Sequence, residues 1–123
     1  MSKSAAASIL AGLCAVGAIA AAAQERPCLH GASETPEQLA RRRAAVNYAR
    51  QVNTAEAALR RQSGSFGQLG ALANVVGVPD GFQVQLSTDG ATYTFSVKDG
   101  TDACQFAVFS DQAGLIFAAT PIQ

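Results

Sequence analysis

Few residues in this chain have the types and spacing to do chemistry. The only imidazole is His30, and nucleophilic catalysis of the Ser-His-Asp kind needs a histidine held as base against its nucleophile. His30 lies between Pro27 and Gly31 in a stretch without apolar periodicity, so no element positions it. Cys28-x-His30 offers two metal-ligand types, but a structural zinc takes four, and Cys104 is better used in pairing. Asp80, Asp89, Asp99, Asp102 and Asp111 fall at turn signals, where short carboxylates bond nearby backbone N–H groups. Asp99, Asp102 and Asp111 are also the residues a calcium site would use, since loop oxygens suit that ion; the turn reading is preferred. The glycines of residues 64 to 77 follow a helix rather than a strand and lack a lysine, which excludes a phosphate-binding loop of the P-loop kind. The chain therefore reads as a non-enzyme with no cofactor.

What must position these residues is one domain. The chain has 123 residues and no formal net charge, which supports one core and gives no global attraction to nucleic acid or an anionic membrane. The charge is uneven along the chain. Between residues 36 and 63 six arginines stand against Glu37 and Glu56, a net of +4, and from residue 64 onward Lys98 stands against five aspartates, a net of −4. Two solvated faces are the simplest account; head-to-tail association of like molecules is the alternative. Arg41, Arg42, Arg43 and Arg50 form the candidate basic face. Three adjacent arginines on a helix point to different sides, and only Tyr48 is near for stacking, so nucleic acid is not an expected partner.

The spacing predicts one long helix over residues 35–62. Thr35 and Gln38 form a Thr-x-x-Gln capping box, Pro36 suits the first helical position, and no further proline or glycine interrupts before Gly64. Leu39, Val46, Ala49, Val52, Ala55 and Leu59 make a narrow apolar stripe, the expected interaction surface of the helix. Residues 63–81 form a long connection with room for a short turn of helix under the helix end. From Phe82 the period becomes two. Strands are expected over 82–87, 93–97, 104–109 and 115–119, joined by turns at Asp89-Gly90, Asp99-Gly100 and Asp111 to Gly114. Short connections dictate a four-stranded antiparallel meander, and its apolar face is what the helical stripe lacks. The expected class is α+β, one long N-terminal helix packed on that sheet.

Residues 1–23 read as a secretory signal peptide: Lys3, an apolar run from Ala5 to Ala22, and Ala21-Ala22-Ala23 as a cleavage site. The run is also long enough for a retained membrane anchor. Export to the periplasm or the extracellular space is therefore expected, with membrane association only if residues 1–23 are kept. Residues 24–34 read as a flexible lead-in to the domain of residues 35–123. In an oxidising compartment Cys28 and Cys104 would close one disulfide, contributing about 4 kcal/mol by chain entropy; the alternative is two unpaired thiols.

The run from Ala45 to Ala57, followed by Gly64-Ser65-Phe66 and Leu69 to Leu72, resembles the C-terminal half of the long helix and the following loop of type IV pilins and of the major pseudopilins of type II secretion. Tyr93 to Val97, then Asp102-Ala103-Cys104 through Ile116, is similar to their sheet and last hairpin. The prepilin cleavage motif and its acidic residue are missing, and residues 24–34 interrupt any continuous helix. The resemblance implies a pilin-like fold and an exported, non-enzymatic subunit, structural or accessory, of a pilus or secretion system, with protein partners or itself as partner. Some pseudopilins bind calcium in the region of Asp99, Asp102 and Asp111. The alternative function is a free secreted binding module built on the same fold.

Overall fold

The computed structural model describes residues 34–102 and 104–119. The first described element is α1, Pro36–Ser63. Its start is the expected capping box: the Thr35 hydroxyl oxygen accepts the Gln38 N–H at 3.1 Å, and the Gln38 carboxamide oxygen accepts the Thr35 N–H at 2.9 Å. Its end is Gly64, whose left-handed φ of 82° lets its N–H reach back to the Arg60 carbonyl.

The strands are β1 (Phe82–Thr88), β2 (Tyr93–Asp99), β3 (Ala107–Asp111) and β4 (Ile116–Ala119). They pair antiparallel in the order β1-β2-β3-β4, so the described residues have the expected α+β class. A row of registered residues, Val84, Val97, Val108 and Ala118, crosses the face turned to the helix. α1 lies mainly across β2 and β3, with lighter contact to β4.

Two boundaries differ from the sequence expectation. Strand β2 runs on to Asp99, which is a buried strand end as well as the residue whose carboxylate accepts the Thr101 N–H of the following turn at 2.9 Å. Strand β3 starts at Ala107 rather than Cys104, because the Asp102 carboxylate accepts the Cys104 and Phe106 N–H groups and bends the chain first. Gln105 sits in that bend at φ 51°.

The helical stripe is also rotated from its expected centre. Ala45, Tyr48, Ala49, Val52 and Glu56 are the buried residues of α1. Their spacing of three, one, three and four defines the core-facing side. Ala49 and Val52 belong to it, whereas Val46, Ala55 and Leu59 only flank the core, and Leu39 is half-buried. Tyr93, Phe95, Val97, Phe106 and Val108 complete the core from the sheet side. The connection contains the expected short turn, the 3-10 segment Leu69–Ala71, followed by buried Leu72. No described helix is long and apolar enough to cross a membrane.

Candidate functional site

Among the described residues, a groove of about 660 Å³ lies between the C-terminal half of α1, Phe66, Tyr93 and the β3–β4 turn. Such a volume lies in the usual range of small-ligand sites, roughly 300–1,000 Å³. Asn53, Ala57, Arg60 and Arg61 line it from the helix, and Gln112 to Gly114 from the turn. A polar network fixes its floor. The Tyr93 hydroxyl donates to Asn53 Oδ1 at 2.8 Å, Asn53 Nδ2 donates to Ser110 Oγ at 2.9 Å, and the Ser110 hydroxyl donates to the Leu115 carbonyl at 2.7 Å. Asn53 Nδ2 also lies 3.3 Å from the Gly114 carbonyl. One helical amide thereby joins the start of β2, the end of β3 and the following turn.

The groove wall is aromatic. Phe66 meets Tyr93 edge to face at 4.7 Å, and the Arg60 guanidinium sits 4.6 Å over the Phe66 ring while donating to the Ala91 carbonyl at 3.1 Å. Burial, with the nearby Glu56 and Asp111 carboxylates, pushes the Tyr93 hydroxyl up to about 12. Beside this wall lies Glu56, fully buried. Its Oε2 accepts the Gly67 N–H at 3.0 Å, while Oε1 has no hydrogen-bond partner among the described residues. Burial raises the Glu56 pKa, and the Gly67 N–H only partly opposes the rise.

The residues singled out from sequence are not brought together. Arg41 is no part of a free basic face, because its Nε and Nη2 grip the Asp99 carboxylate at 2.5 and 2.6 Å and its guanidinium covers the Phe82 ring at 4.5 Å. Arg42 is held by Glu34 at 2.8 and 2.9 Å. Arg43 and Arg50 are exposed, and Arg50 bonds Asn47 Oδ1. Asp99, Asp102 and Asp111 do not converge as a calcium site. Asp111 pairs with Thr94, five residues along β2 from Asp99, a separation of roughly 16 Å at strand rise. Asp99 is already occupied by Arg41 and by the Thr101 N–H and hydroxyl, and among the described residues no group of three His, Cys, Asp or Glu forms a metal cluster.

Cys104 is half-buried in the bend before β3, and its proposed partner Cys28 lies outside the described residues, as do His30, the lead-in through residue 33 and the segment 1–23. The groove itself escaped sequence reasoning. Its signal was there: Asn53 and Glu56 are polar residues spaced like core positions on the helix, next to an aromatic, Phe66, just past the cap.

The opposite face of the sheet carries a second feature. Phe109 and Phe117 are cross-strand partners, 44% and 57% exposed, and Leu115 beside them is 61% exposed. Beyond β4 no further strand is paired among the described residues.

No family model, no curated protein and no solved structure matches this chain.

Proposed function

We propose that this protein is an exported, non-enzymatic, pilin-like interaction subunit, structural or accessory, of a pilus or secretion system. The observation that carries the reading is the exposed Phe109–Phe117 pair with Leu115 on the outer face of β3 and β4. Clustered large apolar side chains on an otherwise polar sheet face favour a protein partner. Further support comes from the signal-like residues 1–23 and from the layout of one long helix on an antiparallel meander. A Cys28–Cys104 bridge, closed on export, would tie the lead-in to the bend before β3. The reading is tested by placing a photo-crosslinking residue at position 117, or at exposed position 43 as a control, in the native host. Crosslinks specific to position 117, to this chain itself or to a pilus or secretion component, are expected. Equal yields at both positions would overturn it.

A second reading, a free secreted binding module, is favoured by the groove bounded by Asn53, Arg60, Phe66 and Tyr93. Intact mass from the host separates the compartments: loss of residues 1–23 is expected for a released domain, and their retention in the membrane fraction for an anchored one.

A further inference from the structure

We propose that the groove at the end of α1 is a binding site for an aromatic carboxylate, either a free acid or the C-terminal residue of a peptide. This inference is independent of the Phe109–Phe117 pair, neither of which lines the groove. Four observations carry it. The first is charge: Arg60 and Arg61 line the groove, and no acidic side chain does. The two carboxylates adjacent in sequence to lining residues do not line it: Glu56 is buried on the Gly67 N–H at 3.0 Å, and Asp111 accepts the Ala113 N–H at 2.8 Å.

The second is the availability of donors. Arg60 uses one nitrogen on the Ala91 carbonyl, and a guanidinium carries five N–H groups in a fork that matches a carboxylate. Arg61 is exposed at the rim. The third is shape. Phe66 and Tyr93, meeting edge to face at 4.7 Å, give the groove an apolar aromatic side beside Ala57 and Ala113, and a third ring extends such a pair by edge contact. The fourth is rigidity: the Tyr93–Asn53–Ser110 chain and the cation–π contact of Arg60 hold the wall and floor in place, which lowers the ordering cost of binding.

A cation pair beside an aromatic wall selects a ligand with a flat apolar body and one anionic end. It discriminates against the matching amide, which offers the guanidinium groups no charge.

The test uses the full-length, isotope-labelled chain and amide NMR. 2-Naphthoate and the peptide acetyl-Gly-Gly-Phe with a free carboxylate are titrated into it, each against its carboxamide. Both acids are expected to shift the amide signals of Asn53, Arg61 and Gln112, with the acids binding at least fivefold more tightly than their amides. Tighter binding of naphthoate assigns the site to free acids, and tighter binding of the peptide assigns it to chain termini. Two variants are read alongside. R61Q changes an exposed side chain and is expected to weaken the acids at least fivefold while leaving the amides unchanged. A57W fills the groove from an exposed helical position and is expected to abolish both. Equal affinity for acid and amide, shifts mapping to the outer sheet face, or undiminished binding by a folded A57W overturns the assignment. Because Phe109 and Phe117 take no part, failure here leaves the interaction-subunit reading standing, and loss of the position-117 crosslinks leaves this one standing.

Discussion

Arg41, in the second turn of α1, and Asp99, the last residue of β2, form a two-point ion pair that locks the N-terminal end of the helix to the sheet. The pair lies 58 positions apart in sequence and is asymmetric in burial: the Asp99 side chain is 2% exposed and that of Arg41 28%. The aspartate therefore depends on the arginine more than the reverse. Leaving a buried carboxylate unpaired costs more than losing an accessible guanidinium.

Replacing Arg41 with alanine is expected to destabilise the fold by about 3 kcal/mol. Burial draws the Asp99 carboxyl upward, but Arg41 and Thr101 more than offset this and hold it below its ordinary 3.8. A depressed folded pKa contributes stability above the unfolded value, and that contribution fades as pH falls through the folded one. Urea melts from pH 7 to below pH 3.8 should show an acid-side loss in the wild type that is much smaller in R41A. A double-mutant cycle with D99N isolates the coupling.

Glu56 has the opposite sign. Its folded pKa is raised from 4.5, so the folded state holds the proton more tightly than the unfolded chain, and stability declines as pH rises from about 4.5 through the folded value. The substitution E56Q keeps an acceptor for the Gly67 N–H and removes the buried charge. It is expected to raise stability at pH 7 by about 1 kcal/mol and to flatten the profile above pH 4.5. Chemical denaturation at pH 4 and pH 7 checks both.

Much of the fold is legible from local chemistry. The Thr35–Gln38 box and Gly64 mark the helix because caps act within a few residues, and the alternation from Phe82 to Val97 marks a hairpin because pleating has period two. The start of β3 departs from the period-two pattern because a local side-chain contact overrides it: Asp102 captures the N–H groups two and four residues on and delays the strand to Ala107. The helix face was misjudged because Tyr48 and Glu56 look polar in sequence, yet they are buried by neighbours far along the chain. The basic face dissolved for the same reason, since nothing near Arg41 in sequence announces Asp99. The groove is only partly legible: Asn53 and Glu56 at core spacing hint at it, but only the packed sheet brings residues 53, 66, 93 and 112 together.

Tyr93 and Tyr48 are the only tyrosines in the chain, and both are buried, with burial raising the pKa of each. Tyrosinate absorbance in the folded protein is therefore expected to develop at higher pH than in the unfolded chain, with Tyr93 ionising only near 12. A raised phenol pKa costs stability as pH climbs from the ordinary value of 10 toward 12, so alkaline unfolding should accompany ionisation. Y93F removes the hydroxyl that donates to Asn53 and is expected to cost about 1 kcal/mol at pH 7. Absorbance at 295 nm followed with pH, alongside circular dichroism, tests this.

Gly81 closes the base of the Arg41 anchor. It sits at φ 80°, accepts the Gly100 N–H through its carbonyl at 2.9 Å, and leaves no room for a side chain: a Cβ there would stand 2.6 Å from Thr101 Cγ2 and 3.0 Å from Arg41 Nη2. Both the left-handed backbone and the contact oppose a substitution. Neither neighbour can swing away freely, because the Thr101 hydroxyl and the Arg41 guanidinium both bond Asp99. G81A is expected to lose about 2 kcal/mol, and only the share due to the Arg41 contact should vanish in the R41A background, where the left-handed strain and the Thr101 contact remain. Gly70, exposed and with nothing within 4 Å of a built Cβ, is the matched control, and G70A should lie within about 0.5 kcal/mol of wild type. Equal losses at the two glycines in urea denaturation would show that the anchor does not confine Gly81.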